Sequence, residues 1–153
     1  NTPHSLILSR QNLPFVQRTN EQIELIKKGG YLLFEVENAD LTLIASGSEL
    51  KLIIAAGEAM SKEGIKANIV SMPCLDKFYS QTETYRHATI NPSAPKLIVE
   101  ALHSASWQGL TNLDDVVIGI DTFGESGPAS DLMKKFGFTV DNILAEAKKL
   151  ISK

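Results

Sequence analysis

Leu41-Thr42-Leu43-Ile44-Ala45-Ser46-Gly47-Ser48-Glu49 is the stretch that decides the fold. An apolar, strand-forming run passes into a glycine-containing turn, and the residues from Glu49 to Glu63 then place Leu50, Ile53, Ile54 and Met60 on one helical face. Ser48 is the expected cap and Gly64 the expected terminator. The same order recurs downstream. Lys66 to Ser71 reads as a strand, Ser80 and Glu83 as the capping pair of a helix through His87, and Lys96 to Glu100 as another strand. Asp115 to Ile120 is the last clear strand. Pro128 opens a first helical turn, and Gly137 follows Phe136. Thr139 or Asp141 caps a closing amphipathic helix through Ile143, Leu144, Ala147, Leu150 and Ile151. Strands alternating with helices predict the α/β class, a mostly parallel sheet in a three-layer sandwich with helices on both faces.

Upstream, Tyr31 to Val36 is a second strand-like run, an edge strand, and Glu37-Asn38-Ala39-Asp40 is polar enough to turn it back antiparallel onto Leu41–Ala45. Thr19 and Gln22 form a capping box ahead of Ile23 and Ile26, with Gly29-Gly30 as the stop, so a short helix is expected over 20–28. Gln11 to Arg18 carries a proline and reads as a linker. Ser5-Leu6-Ile7-Leu8-Ser9 has the apolar character of a buried strand. The chain opens on Asn1-Thr2-Pro3 rather than Met, which reads as a piece of a longer chain; a processed precursor would begin the same way.

The 153 residues are 43% hydrophobic and 22% charged, enough for one ordinary core. No apolar run approaches the length of about 20 residues that crosses a bilayer, and no basic segment precedes a short apolar one at the start, so neither a membrane nor a signal peptide is expected. Lys and Arg number 15 against 18 Asp and Glu, and they are dispersed, so nucleic acid is not an expected partner. The single Cys74 cannot bridge within the chain or build a four-cysteine zinc site, and a reducing cytoplasm is the simplest home.

Two loops stand where α/β sheets bind ligands, past the carboxyl ends of strands: Ala45 to Glu49, and Asp121 to Pro128. Both lead into helix N-termini, where backbone N–H groups suit an anion, and Ser46, Ser48, Thr122 and Ser126 could add hydroxyls beside Gly47 and Gly124. The competing reading is ordinary caps and turns. Neither loop has a phosphate-binding glycine motif, and Glu49 and Glu125 would repel an anion. His4, His87 and His103 lie far apart and lack helical metal-site spacing. Hydrogen-bonded or exposed roles are expected for His87 and His103, a buried inert thiol for Cys74, and packing for Phe123, Phe136, Phe138 and Trp107. Arg10 follows the apolar Leu6–Ser9 and should emerge at a strand's carboxyl end, where its guanidinium can hold a phosphate or carboxylate through two parallel hydrogen bonds or make a surface ion pair.

Leu8-Ser9-Arg10-Gln11-Asn12-Leu13, Gly29-Gly30-Tyr31, Ala45-Ser46-Gly47-Ser48-Glu49, Ser71-Met72-Pro73 and Thr122-Phe123-Gly124-Glu125-Ser126-Gly127-Pro128-Ala129 closely resemble, in order and spacing, transketolase near its carboxyl end. Phe136 to Asn142 is similar to the family's entry into its final helix. The departures are Leu102, where the family has glycine, and Cys74-Leu75, where it has a small polar pair.

The resemblance implies a homodimeric enzyme that moves a two-carbon ketol unit from a ketose phosphate to an aldose phosphate, using thiamine diphosphate and a divalent cation, Mg or Ca. It implies a carboxyl-terminal domain with a mostly parallel five-stranded mixed sheet over 19–153, preceded over 1–18 by the tail of the middle domain and a linker. Arg10 is similar to the arginine that grips the sugar substrate's phosphate. The family's Gly-Asp-Gly and downstream Asn, which hold the cofactor's metal, do not occur in this sequence, and no histidine cluster is present to move protons. No cofactor is therefore expected in this chain, nor any activity from it alone. Its expected work is structural, supporting the preceding domains with Leu13, Phe15 and Val16 as contacts. The competing readings are a regulatory module holding an anion or nucleotide at the two glycine loops, and a separate subunit of a split transketolase.

Overall fold

The computed structural model describes residue 3 and residues 5–152. Its sheet is built on β2, Leu41–Ala45, all five residues of which are buried. Parallel neighbours flank it: β3, Ala67–Ser71, on one side and β4, Lys96–Val99, on the other. β5, Val116–Ile118, runs parallel to β4, and β1, Tyr31–Phe34, runs antiparallel to β3 at the opposite edge. The order is β1-β3-β2-β4-β5, a five-stranded, mostly parallel mixed sheet.

Alternation along the inner strands feeds two cores. Leu43, Ala45, Leu97 and Val99 face one side, where α2, Leu50–Lys62, and α6, Val140–Ile151, cover them with Ile53, Ala56, Met60, Ile143, Ala147 and Leu150. Ile44, Val70 and Ile98 face the other side, against Phe78 of α3, Leu75–Tyr79, Ile90 just after α4, Glu83–Thr89, and Trp107. α1, Asn20–Leu25, and α5, Ala129–Lys135, complete the helices.

Several local expectations hold. Thr19 and Gln22 make the reciprocal capping box of α1, and the Gln22 amide reaches on to the Leu33 carbonyl at 2.8 Å, fixing α1 to β1. Gly64 follows α2 in a left-handed conformation, and the Thr139 hydroxyl accepts the Asn142 N–H to cap α6.

Others are corrected. Tyr31–Phe34 and Leu41–Ala45 do not form a hairpin: β2 is apolar on both faces and takes parallel partners on both sides, so the β2-α2-β3 unit closes between them. Ser5–Ser9 is no buried strand, since no strand of the described chain lies beside it, and Leu6, Ile7 and Leu8 are 83%, 94% and 74% exposed. Ser48 does not cap α2; a 3-10 turn over Gly47–Glu49 leads in, and the Ser48 hydroxyl turns to Glu49. Thr82, not Ser80, caps α4, because Ser80 already closes α3, a short helix with no clear sequence signal. Cys74 is exposed, not buried, since it sits in the turn ahead of α3 with its N–H donating to the Gly29 carbonyl. Phe123 does not pack either: the loop past β5 leaves it 98% exposed, whereas Phe138 and Trp107 are each 2% exposed.

Lys96 is a buried lysine. Its ammonium lies 3.0 Å from Asp115 Oδ2, the two side chains are 1% and 3% exposed, and the carbonyls of Pro92 and Ala94 accept its remaining protons at 3.2 and 3.1 Å. Asp115 in turn accepts the N–H groups of Lys96 and Asn112, so the pair stitches the amino ends of β4 and β5. Replacing Asp115 with Ala strands a buried ammonium and is expected to lower unfolding stability by about 3–5 kcal/mol in urea titration. Gly29 is constrained differently: at φ +89° an added Cβ would stand 2.4 Å from the Cys74 carbonyl and 2.5 Å from the Phe78 nitrogen. Both neighbours are backbone, so Gly29→Ala should cost about 2–4 kcal/mol in the same titration.

Candidate functional site

The chain leaves β2 toward β3 on one side and returns to β4 on the other, so the strand order reverses between the carboxyl ends of β2 and β4. That reversal is where open α/β sheets form their ligand crevice. Ser46 and Glu100, the residues just past those two ends, meet there: the Ser46 N–H donates to Glu100 Oε2 at 3.0 Å. The Ser48 hydroxyl lies 2.9 Å from both carboxylate oxygens of Glu49. Glu49 and Glu100 are 5% and 8% exposed, so two carboxylates are enclosed at the crevice. Burial pushes the Glu100 carboxyl above the usual range, the Ser46 hydrogen bonds oppose this, and the Glu49 charge adds to the rise. The Ser46 amide that could meet an outside anion is thus engaged by the protein's own carboxylate.

The second loop is open. Past β5, the Ile120 N–H donates to the Leu102 carbonyl, and Ser104 donates its N–H and hydroxyl to the two oxygens of Asp121 at 2.7 and 2.8 Å. Those donors, with a smaller contribution from His103, hold the Asp121 carboxyl below its usual range. Thr122, Gly124 and Ser126 are all exposed; the Thr122 hydroxyl reaches only the Phe123 carbonyl at 3.4 Å, and Glu125 pairs with Lys135.

Between these loops lies a groove of about 460 Å³. Gln11, Asn12, Ser48, Glu49 and Ser130 give it a polar lining, and Leu52, Met133 and Phe138 an apolar one. The structure therefore gathers the segment after Arg10, the end of the first loop and the residues that follow the second. Arg10 itself is exposed, with no hydrogen bond or ion pair among the described residues. His4 lies outside the described residues. His87 is 3.8 Å from Glu83, and the His103 ring accepts the Ala105 N–H, so neither joins the groove. Among the described residues no three His, Cys, Asp or Glu side chains gather to hold a metal ion.

Sequence reasoning missed Glu100 as a site residue. Its one signal was a carboxylate ending an otherwise apolar run at the carboxyl end of a strand. Because the folded state holds the Glu100 proton more tightly than the unfolded chain, stability is expected to fall as pH rises from the ordinary value of 4.5 through the raised folded value. Glu100→Gln keeps an oxygen acceptor for Ser46 and should flatten that slope; thermal melts of the two proteins across this range make the comparison.

With this geometry in place, comparison with known proteins gives a consistent result. A family model described as the transketolase-like TK C-terminal domain matches residues 29–139. Transketolase 1 of Escherichia coli (strain K12) is 44% identical over 151 residues, covering 97% of this chain and 23% of that protein. Transketolase 2 of Vibrio parahaemolyticus is 43% identical over 153 residues, covering 98% of this chain and 23% of that protein. Among solved structures, transketolase from Leishmania mexicana superposes with a TM-score of 0.79 at 36% identity, over 85% of this chain and 19% of that one. Transketolase from Pichia stipitis in complex with sedoheptulose 7-phosphate gives 0.85 at 34%, over 94% and 20%. A split-gene transketolase, described as an inactive beta4 tetramer, shares the fold with a TM-score of 0.70 at 20% identity. The chain spans about a quarter of the length of the curated relatives it matches, and it belongs to the transketolase family, as a carboxyl-terminal domain.

Proposed function

We propose that residues 19–153 serve as the carboxyl-terminal domain of a transketolase that transfers a two-carbon ketol unit from ketose phosphates to aldose phosphates, and that residues 1–18 are the tail of the preceding domain and the linker from it. The parent on this reading is a cytoplasmic homodimer that requires thiamine diphosphate and a divalent cation, Mg or Ca. The observation that carries the reading is the apolar arm. Leu6, Ile7 and Leu8 stand clear of the domain, Phe15 is 90% exposed and Leu13 38% exposed, whereas Val16 packs against the core. A row of bare aliphatic and aromatic side chains is surface built to be covered, and the preceding domains of the same chain are what cover it here.

The cofactor does not fit this chain. Its metal needs several oxygen ligands converging on one point, and that no such cluster forms among the described residues supports a reading in which other domains of the parent carry the site. The chain's own contribution is Arg10. An arginine with no partner among the described residues, next to the groove-lining Gln11 and Asn12, can present its fork to the terminal phosphate of a sugar at the domain boundary. Such a contact binds substrate and transition state alike, away from the reacting carbon.

In the full-length parent, Arg10→Ala is therefore expected to raise KM for phosphorylated substrates by roughly 10- to 100-fold with kcat little changed, and unchanged KM values would remove the assignment. The 153-residue chain supplied with thiamine diphosphate and magnesium is expected to transfer no ketol unit in a coupled assay; turnover above buffer would refute the division of labour. Leu13→Ser with Phe15→Ser in the parent should leave this domain's melting unchanged and loosen its docking, seen as faster proteolysis in the linker.

A further inference from the structure

The sheet face opposite α2 and α6 carries only short elements, and they leave a cavity of about 330 Å³ between α3, α4 and the segment 109–112. Phe78, Ile90 and Leu110 supply its apolar wall. Its polar lining includes Tyr79, Arg86, His87, Lys96 and Asn112, and no carboxylate lines it. The Lys96 charge is already matched by Asp115 and His87 lies 3.8 Å from Glu83, which leaves Arg86 as the lining's uncompensated charge. One arm of its guanidinium, Nη1, donates to the Tyr79 carbonyl at 2.7 Å, which holds the group in place, and it has no carboxylate partner among the described residues.

Tyr79 adds a second observation. Its hydroxyl is buried and has no hydrogen-bond partner among the described residues, a condition that costs free energy. It rests against Gly109, where an added Cβ would come within 2.5 Å of the oxygen. The segment 109–112 thus runs close over the tyrosine. Burial raises the hydroxyl's pKa, the nearby Arg86 charge opposes the rise, and Asp76 adds to it. A held, half-buried guanidinium without a counter-charge and an unpaired phenol border one cavity with an apolar wall, the composition of a small-molecule site.

We propose that this cavity is a second ligand site, taking a small organic anion whose oxyanion head, a phosphate or a carboxylate, lies on Arg86 and His87 and, as the segment 109–112 lifts from it, on the Tyr79 hydroxyl, and whose compact apolar body lies on Phe78, Ile90 and Leu110. It lies on the α3–α4 face, past the amino end of β4, and shares no lining residue with the groove beside Arg10, so it stands or falls apart from the substrate reading.

The test is a titration of the 15N-labelled chain with phenyl phosphate, benzoate and inorganic phosphate, followed by amide chemical shifts. The expected result is saturation in the low millimolar range or below by at least one aromatic probe, with shifts centred on Tyr79, Arg86 and 109–112, and weaker binding of inorganic phosphate, which lacks the apolar body. The tighter of the two aromatic probes identifies the head group. Arg86→Gln should weaken binding about 10-fold or more, and Tyr79→Phe, which removes the orphan hydroxyl without adding bulk, about 3-fold or more. If Arg86→Gln fails to fold, Arg86→Lys, which keeps the charge and loses the fork, replaces it with an expected loss of about 5-fold. Absence of saturation with both aromatic probes, shifts centred elsewhere, or Tyr79→Phe and the Arg86 variant binding as tightly as the unaltered chain would overturn the proposal.

Discussion

Five consecutive residues, Leu41–Ala45, are buried, and a strand in that position needs hydrogen-bonded neighbours on both edges and apolar cover on both faces. Parallel β3 and β4 supply the edges. The faces are closed unequally: α2 and α6 lay long amphipathic stripes on one side, whereas short α3 and α4 with Trp107 cover the other. Burying a Leu or Ile is worth about 1.5–3 kcal/mol, so the favourable terms concentrate on this strand and its immediate cover. The edge strands and the loops take their places from it.

The same topology places a crevice at the carboxyl ends of β2 and β4. In open α/β sheets that position offers backbone N–H groups to a ligand. Here Glu100 reaches back to the Ser46 N–H and Glu49 is enclosed beside it, so the chain brings its own carboxylates to the place where many such folds receive a phosphate. Fold and ligand are separable in this way: a shared sheet order fixes where a site would lie, and a few side chains decide what it holds. The crevice is closed from within, while the arm from Leu6 to Phe15 is left exposed.

How legible each feature was depended on the range of the interactions that create it. The capping box at Thr19 and Gln22, the stops at Gly29 and Gly64 and the cap at Thr139 are set by groups within a few residues of one another, and the chain alone revealed them. Ser48 and Ser80 misled because a serine ahead of a helix can satisfy other partners as readily as a helix end, here Glu49 in one case and the close of α3 in the other. Cys74, with no activating neighbour in sequence, and the aromatic Phe123 both suggest the interior, yet each sits exposed on a loop between elements of the sheet and its helices. The places of the two glycine loops past their strands were legible, whereas Glu100, the buried Lys96–Asp115 pair and the apolar groove were not.

The sequence by itself determined the α/β class, the strand–helix alternation from Leu41 onward and the resemblance to transketolase, because apolar periodicity and turn chemistry are local and run along the chain. Only the tertiary structure decided that β3 lies between β1 and β2, that Glu100 engages Ser46 across 54 positions of sequence, and that Arg86 and an unpaired Tyr79 hydroxyl border one cavity. These depend on which strands pair and which faces meet, and no local pattern encodes partners so far apart along the chain.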